Sequence, residues 1–313
     1  MIIGIDIGGT KANGLLFDPE TGAVRGRSLQ PSRHRGPELV EMIVAMVSQL
    51  RSAEAVSVTA VGLGVAGLAT RSGIIRYSPN LPELIEYPLA QEVQRGLDVP
   101  VVLSNDATAG AWAEALLGAG RGVADLVFVA LGTGIGSGFV VNGQVVLGAN
   151  GFAGEAGHMV IDRAGPEHHT GQRGPWEYFA SGTALGRMGR DAAAAGRFPA
   201  GLAAAGSADA ITGLHVSRAI EAGDQDAARL LDAFSCEVAR GLANLVLILD
   251  PSRIIIGGGV VDVGEPLRQG VEQWLSRLLL GGAHRPPVEV VLAELGADAG
   301  ALGAGLVAAE ASG

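Results

Sequence analysis

The chain has 313 residues, of which 48% are hydrophobic, and a mean hydropathy of +0.34. This length allows two packed domains, and charges or Gly-Gly pairs interrupt every apolar run before about 18 residues, which argues against a membrane span. The net charge of -10 and the pI near 5.1 disfavour nucleic acid and anionic membranes as partners, because both bind clustered basic residues. Small molecules are the expected partners.

The N-terminal sequence Met-Ile-Ile-Gly-Ile-Asp has neither a basic region nor a small-residue cleavage site. We therefore expect no export signal and a cytoplasmic location. The single cysteine, Cys236, excludes an intramolecular disulfide. It lies in an apolar helical pattern, which is typical of a buried core thiol.

The hydrophobic pattern of the first 120 residues predicts three short strands followed by alternating helices and strands. The first helix has Leu39, Ile43 and Met46 at helical spacing and Pro37 near its start. The predicted strands are 2–7, 13–18, 23–29, 60–67 and 100–105, and the predicted helices are 37–51, 88–97 and 107–118.

The same pattern starts again after a glycine-rich run at 118–122. The predicted strands of this half are 126–132, 136–142, 145–148 and 253–258, and its predicted helices are 183–195, 216–222, 225–249, 265–280 and 298–311. The Ala- and Gly-rich stretch 191–210 is expected to be an exposed connection.

The repeated order of elements indicates an internal duplication of an α/β topology. We therefore expect a smaller N-terminal α/β domain over 1–120 and a larger C-terminal α/β domain over 121–313. The last helix is expected to pack back on the N-terminal domain.

Glycine-rich turns follow the first strand of each half. The chain has no Walker loop, and its Gly-Thr-Gly-Ile-Gly-Ser-Gly run does not precede a helix as a dinucleotide fingerprint would. In 6–11, an Asp, two glycines, Thr10 and Lys11 combine a carboxylate, backbone N–H groups, a hydroxyl and an ammonium, which suit phosphates and a magnesium ion. The turn at 132–134 follows the same logic, although hairpin connections explain either turn equally well.

A third glycine run, 257–259, follows an apolar strand. Backbone without side chains there would let a flat purine lie against it, and a strand-to-helix turn is the equally simple alternative.

Eight motifs along nearly the whole chain occur in the order and at the intervals of one family. They are Asp-Ile-Gly-Gly-Thr-Lys at 6–11, Val-Gly-Leu-Gly-Val-Ala-Gly at 61–67, Pro-Asn-Leu-Pro at 79–82, Ser-Asn-Asp-Ala at 104–107, Gly-Thr-Gly-Ile-Gly-Ser-Gly at 132–138, Gly-Glu-Ala-Gly-His-Met at 154–159, Glu-Tyr-Phe-Ala-Ser-Gly at 177–182 and Ile-Ile-Ile-Gly-Gly-Gly at 254–259. The chain thus resembles the ROK family of sugar kinases. The resemblance implies a two-domain actin-like, ribonuclease-H-like ATPase fold with a cleft between the domains, and phosphorylation of a hexose with ATP and Mg²⁺.

The resemblance also implies a role for each residue that matches a family motif. Asp106 would be the general base. The sugar ligands would be Gly67, Asn80, Asn105, Glu155, His158 and Glu177. The residues serving the phosphates, the metal and the adenosine would be Asp6, Gly8, Gly9, Thr10, Lys11, Thr133, Gly134, Gly257 and Gly258.

These residue types suit the implied chemistry. Carboxylates and carboxamides pair sugar hydroxyls directionally, and phosphoryl transfer needs a carboxylate that accepts the proton of the attacking hydroxyl. Asp106 follows a predicted strand, where open α/β sheets bind ligands. The alternative for Asp106 is an ordinary helix N-cap, because Asn-Asp-Ala-Thr also reads as a helix start.

One stretch departs from the family pattern. Many members carry Cys-x-Cys-Gly-x-x-Gly-Cys-x-Glu, which binds structural zinc together with the preceding histidine. The matching stretch here runs from His168 to Glu177, and His168, Thr170 and Pro175 replace the three cysteines. Thr and Pro are not zinc ligands. We expect no structural zinc and interpret His168 and His169 as solvated loop side chains, while weak metal binding with His158 stays open.

The resemblance favours a glucokinase-type phosphotransferase that acts on the 6-hydroxyl of glucose. N-acetylglucosamine, N-acetylmannosamine, mannose or fructose are alternative substrates, and polyphosphate is an alternative donor. A non-catalytic sugar-sensing regulator is disfavoured, because it would need a helix-turn-helix ahead of the first strand. The family resemblance also implies a homodimer or homotetramer.

Overall fold

The computed structural model describes residues 1–54 and 56–312. The elements of the first part of the chain are β1 (Ile2–Ile7), β2 (Lys11–Phe17), β3 (Val24–Pro31), α1 (Gly36–Glu54), β4 (Val61–Val65), β5 (Leu68–Ala69), β6 (Ile75–Tyr77), α2 (Leu89–Gln94), β7 (Val101–Asn105) and α3 (Asp106–Leu117). Those of the second part are β8 (Leu126–Leu131), β9 (Ile135–Val141), β10 (Gln144–Val145), α4 (Trp176–Ala180), α5 (Gly182–Ala194), α6 (Pro199–Ala205), α7 (Gly213–Glu221), α8 (Gln225–Leu249), β11 (Arg253–Gly257), α9 (Glu265–Leu278), β12 (Glu289–Leu292) and α10 (Ala299–Ser312).

The chain divides into two compact units. The first unit comprises residues 1–124, 138–154 and 294–313, and the second comprises 125–137 and 155–293. The segments 138–154 and 294–313 thus belong to the first unit although they lie beyond the expected boundary at residue 120.

The first unit contains a five-stranded sheet in the order β3-β2-β1-β4-β7. β1 pairs antiparallel with β2, and β4 runs parallel to both β1 and β7. The register aligns Ile5 with Leu63 of β4 and Leu63 with Leu103 of β7. One face of the sheet packs with α1 in an apolar cluster that includes Ile5, Ile43 and Leu63, all fully buried. Burial of these side chains is the main stabilising term for the unit.

The second sheet has the strand order β10-β9-β8-β11-β12, which repeats the order of the first. β11 runs parallel to β8 and β12, and β10 is antiparallel to β9. The three consecutive isoleucines of β11 are completely buried, as a central parallel strand covered on both faces requires. The predicted duplication of topology and the predicted α/β class are therefore confirmed.

Several short elements escaped sequence analysis, namely β5, β6, α4, α6 and β12. The expected exposed connection at 191–210 is wrong for the seven residues of α6. Alanine is the strongest helix former, Pro199 occupies the first turn and Gly206 ends the helix in a left-handed conformation. The strand expected at 145–148 is only the two-residue β10. Cys236 is buried, as predicted.

Within residues 1–54 and 56–312, no helix combines the length and the apolar character needed to cross a membrane.

A buried carboxylate binds two connecting segments of the first unit, one directly after α3 and one shortly before α10. Glu114 of α3 is fully buried. Its Oε2 accepts hydrogen bonds from the Ala119 N–H at 2.8 Å and the Glu294 N–H at 3.2 Å, and its Oε1 accepts one from the Leu295 N–H at 2.8 Å. Ala119 follows α3 on the way to β8, and Glu294 and Leu295 precede α10. One side chain thus satisfies backbone donors of both connecting segments.

Replacement of Glu114 by Ala would leave these partly buried N–H groups without their acceptor. Because each unpaired buried donor costs about 1–3 kcal/mol, we expect the free energy of unfolding to fall by about 2–4 kcal/mol after partial relaxation. Denaturant titration followed by circular dichroism measures the change. Glu41→Ala, at an exposed position of α1, is the matched control with an expected change within about 0.5 kcal/mol. Equal losses in the two variants would contradict this account.

Candidate active site

Two carboxylates lie at the carboxyl ends of parallel strands in the first unit. Asp6 is the penultimate residue of β1, and Asp106 begins α3 directly after β7. Both side chains are half-buried. Burial, followed by the negative charge of Asp106, raises the pKa of Asp6 to about 7, against a partial offset from Lys11. Burial also raises the pKa of Asp106, while the Ala107 N–H opposes the shift. The pair concentrates negative charge where a cation or a proton would be attracted.

Asn105, and not Asp106, is the N-cap of α3. The Asn105 Oδ1 accepts a hydrogen bond from the Thr108 N–H at 3.0 Å, while Asp106 is the first residue of the helix. The Asp106 Oδ1 accepts a hydrogen bond from the adjacent Ala107 N–H at 2.8 Å. The helix start therefore does not need the Asp106 carboxylate as a cap, and the alternative interpretation of Asp106 as an N-cap is wrong.

Asn105 also connects to Gly67. Its Nδ2 donates to the Gly67 carbonyl oxygen at 3.1 Å, which uses one of the two N–H groups of the amide. Gly67 has φ of 103°, a conformation that favours glycine, and a Cβ there would overlap the Tyr77 carbonyl oxygen. The structure thus brings these two predicted sugar ligands together.

The turn after β1 is compact and places Asn80 beside it. The Gly8 N–H donates to the Lys11 carbonyl oxygen at 3.0 Å, and the side chains of Thr10 and Lys11 are exposed. A Cβ on Gly9 would lie 3.5 Å from the Asn80 side chain, so that the predicted phosphate turn and this predicted sugar ligand are neighbours. The backbone there is open to close approach by a ligand.

The corresponding turn of the second unit lies between β8 and β9. The Gly132 N–H donates to the Gly134 carbonyl oxygen at 2.9 Å, and the Thr183 hydroxyl donates to the Thr133 carbonyl oxygen at 2.7 Å. The Thr133 side chain is exposed. Together these bonds fix the turn and leave the hydroxyl of Thr133 at the surface of the unit.

The third glycine run needs its glycines for packing. A Cβ on Gly257 would lie 2.8 Å from the Phe128 ring. Gly258 has φ of 81° and is exposed, and a Cβ there would lie 2.5 Å from the Leu131 carbonyl oxygen. These positions leave bare backbone at the end of β11, as a binding surface for a flat ring system requires.

Glu177 connects α4 to the turn at 132–134. Its Oε2 accepts a hydrogen bond from the Ile135 N–H at 2.7 Å. A Cβ on Gly134 would overlap the same carboxylate oxygen, so only glycine allows this contact. The orientation of the Glu177 carboxylate and the conformation of the glycine turn therefore depend on each other within the second unit.

Glu155 precedes a single turn of 3-10 helix, Ala156–His158, and His158 is its last residue. The His158 Nε2 lies 3.8 Å from a carboxylate oxygen of Glu155, and both side chains are 37% exposed. The ring of His158 lies 6.5 Å from that of His168, centre to centre. Glu155 and His158 are thus paired and open to solvent.

The interpretation of both loop histidines as solvated is wrong for His168. The His168 side chain is only 9% exposed, and its Nε2 lies 3.3 Å from Oε1 of Glu177. His169 is exposed, as expected. Potential ligand atoms of His168, His169 and Glu177 lie within 4.8 Å of one another, a set of nitrogen and oxygen donors that zinc accepts in other proteins.

Comparison with known proteins identifies the family. The family model described as "ROK family" matches residues 2–311. The chain belongs to the ROK family. A glucokinase of Streptomyces coelicolor is 34% identical, with 99% of this chain and 98% of the relative aligned. An N-acetylmannosamine kinase of Escherichia fergusonii is 32% identical over 98% of this chain and 97% of the relative.

A solved structure of the family has the same fold. The ROK family glucokinase of Streptomyces griseus, in complex with glucose and AMPPNP, superposes with a TM-score of 0.87 and is 35% identical over 99% of each chain. The expected two-part α/β architecture of the actin-like ATPases is therefore confirmed.

Two groups at the site were not identified from sequence. The family pattern located the position of His168 as a replaced cysteine, but not its contact with Glu177, because that contact depends on the path of the loop. The Ile135 N–H is a backbone group and gives no side-chain signal. Its only sequence indication was its place directly after the Gly-Thr-Gly turn.

The pKa of Asp6 has a consequence for stability. The folded chain holds this proton up to a pH of about 7, whereas the ordinary pKa of 3.8 applies on unfolding. The protonated form therefore stabilises the fold below pH 3.8, and this contribution declines as the pH rises through 7. In EDTA at pH 8, we expect Asp6→Asn, which cannot ionise, to unfold at a Tm roughly 3 °C or more above the unsubstituted protein. The difference should shrink toward pH 4, and a constant difference across that range would contradict the assignment.

Proposed function

We propose that this protein is an ATP-dependent glucose kinase that transfers the γ-phosphoryl group to the 6-hydroxyl of glucose. The observation that carries the proposal is its full-length similarity to ROK glucokinases, one of them solved with glucose and AMPPNP. Asp106, directly after the parallel edge strand β7, supplies the carboxylate that such a transfer needs.

Asp106 is the general base in this proposal. Burial raises its pKa, which makes the carboxylate a stronger proton acceptor than an exposed one. The Ala107 N–H fixes Oδ1, so the other oxygen can accept the proton of the attacking sugar hydroxyl. Asn105 caps the helix that carries Asp106 and so holds the base in position.

Polar groups with fixed orientation bind the sugar. Glu155, His158 and Glu177 pair hydroxyls near the anomeric end of the hexose, each offering a directional donor or acceptor. Asn80 and the second N–H of the Asn105 amide bind further hydroxyls, and the backbone at Gly67 allows the ring to approach closely. Because a hydroxyl both donates and accepts, carboxylates and carboxamides together match a ring of hydroxyls.

The nucleotide is bound by glycine-rich backbone. Gly8, Gly9, Thr10 and Lys11 offer one phosphate-binding turn and Thr133 and Gly134 offer another, while Gly257 and Gly258 offer backbone for the adenosine. The half-buried Asp6 carboxylate and the exposed Thr10 hydroxyl are the hard oxygen donors that Mg²⁺ prefers. A carboxylate whose pKa is raised to about 7 by burial fits such a cation, because the positive charge would favour its ionised form. When bound, Mg²⁺ neutralises phosphate charge during the transfer.

The identity of the sugar is the finer part of the proposal. Similarity to an N-acetylmannosamine kinase leaves amino sugars as competing substrates. The homodimer or homotetramer stays a prediction.

A coupled ADP-release assay tests the substrate. Glucose, mannose, fructose, N-acetylglucosamine and N-acetylmannosamine are compared at equal concentration with ATP and Mg²⁺. The series is then repeated with polyphosphate, where formation of the sugar phosphate is measured because this donor yields no ADP. We expect the highest kcat/KM for glucose with ATP, by about tenfold or more over the others, because a site built to pair one set of hydroxyls leaves buried groups unpaired with another. A higher kcat/KM for an N-acetylated sugar would replace glucose as the substrate, and no ADP release from any hexose would overturn the kinase assignment.

A further inference from the structure

A short chain of side chains connects the loop at 168–172 to Glu177. The Nδ1 of His168 lies 2.9 Å from the Thr170 hydroxyl, and its Nε2 lies 3.3 Å from Oε1 of Glu177. The other carboxylate oxygen, Oε2, accepts the Ile135 N–H at 2.7 Å. The Glu177 side chain is 14% exposed and His168 is 9% exposed, so the contact is shielded from water. Each oxygen of Glu177 therefore has its own neighbouring donor group on the protein.

We propose that His168 is a positioning residue that orients the Glu177 carboxylate for sugar binding, with Thr170 fixing the tautomer of its ring. The proposal rests on the assignment of Glu177 as a sugar ligand. In this proposal the Thr170 hydroxyl donates to Nδ1, which places the ring proton on Nε2, the nitrogen that lies 3.3 Å from Oε1 of Glu177. His168 and Thr170 stand where many family members have cysteines, and in this proposal the contact of the His168 ring with Glu177 takes the place of a bound metal.

The backbone of the loop supports this role. The His168 N–H donates to the Gln172 carbonyl oxygen at 2.7 Å, and the Gly171 N–H donates back to the His168 carbonyl oxygen at 2.9 Å. The Gly174 N–H donates to the Pro166 carbonyl oxygen at 2.8 Å. Gly171 and Gly174 have φ of 80° and 63°, which only glycine adopts readily. The loop thus closes through its own backbone bonds and presents His168 in a defined position.

The electrostatic environment keeps the ring neutral. Burial, and then the neighbouring His169, lowers the pKa of His168 more than Glu177 raises it. A neutral imidazole has one N–H and one acceptor nitrogen, which is the pair of functions that the contacts with Thr170 and Glu177 require. The ring is also held between His169, at 3.9 Å between centres, and the edge of Tyr178 at 6.5 Å.

Substitution of His169 distinguishes the positioning role of His168 from a metal site. A metal bound by His168, His169 and Glu177 would use both histidines as ligands, so loss of either would weaken it. The positioning role uses the contacts that the His168 ring itself makes with Thr170 and Glu177, whereas the exposed His169 ring lies tilted by 54° beside it. His169→Ala is therefore the matched control for His168→Ala.

The test measures glucose Kd by calorimetry, together with kcat and the separate KM values for glucose and ATP. For His168→Ala we expect the glucose Kd and KM to rise about tenfold, and the KM for ATP to stay within about twofold. His168→Gln should recover part of the loss, since its amide N–H can reach Glu177, and Thr170→Val should give an intermediate loss. In a Glu177→Gln background, His168→Ala should have little further effect, because its action passes through the carboxylate.

Three outcomes would overturn the proposal. One is an unchanged glucose Kd in folded His168→Ala. If a thermal melt shows His168→Ala to be unfolded, an unchanged glucose Kd in both His168→Gln and Thr170→Val is the contradicting result instead. Another is an additive loss in the Glu177→Gln background. The third is an equal loss in His169→Ala together with one tightly held zinc per chain by elemental analysis, which would establish a metal site. If the unsubstituted protein binds glucose without releasing ADP, the kinase assignment fails, and the calorimetric comparison still decides the role of His168.

Discussion

Close backbone contact between α10 and its neighbours is the constraint on which the placement of both active-site carboxylates depends. A Cβ on Gly4 of β1 would overlap the Ala301 carbonyl oxygen, and one on Gly62 of β4 would overlap that of Ala304. A Cβ on Gly303 would overlap the Ala109 carbonyl oxygen of α3. The helix can lie this near only because small residues face each other on both sides of the contact. Its packing fixes β1, whose penultimate residue is Asp6, against α3, which begins at Asp106.

This packing explains why the two carboxylates carry raised pKa values. Gly300, in the first turn of α10, lies so near Asp6 that a Cβ there would be 2.9 Å from the carboxyl carbon. Backbone that covers Asp6 removes water from it and leaves Asp106 as its charged neighbour. The fold therefore stores unfavourable electrostatic energy at the position where the reaction needs a cation and a proton acceptor, a common relation between stability and function.

In the second unit, contacts from two separate segments hold the Glu177 carboxylate in position. Its glycine turn and its proposed sugar ligand share a contact, since the Ile135 N–H donates to the carboxylate of Glu177. The loop that carries His168 approaches the same carboxylate from the other side. A residue placed by two independent elements loses little entropy on binding a substrate, which is the physical meaning of a preorganised site.

Sequence patterns predicted the long elements because those are set by hydrophobic periodicity. The helices around Ile43 and Cys236 and the buried strand at 254–256 follow directly from that periodicity. Elements of two to seven residues, such as α4 and β12, carry too few positions to show a period. The family motifs identified Asp106 as a candidate catalytic residue. The role of Asn105 as the N-cap depends on the residue at which β7 ends and α3 begins. The position of His168 against Glu177 depends on a loop path that no local pattern determines.

The central claim is that Asp106 accepts the proton of the sugar hydroxyl, and Asp106→Asn tests it most directly. The amide keeps the size of the side chain but cannot act as a base. We predict that kcat falls by about 10²-fold or more while the glucose Kd measured by calorimetry stays within about twofold. Asp209→Asn, at an exposed position of the second unit, is the control and should retain full turnover. Near-normal kcat in Asp106→Asn would contradict the account.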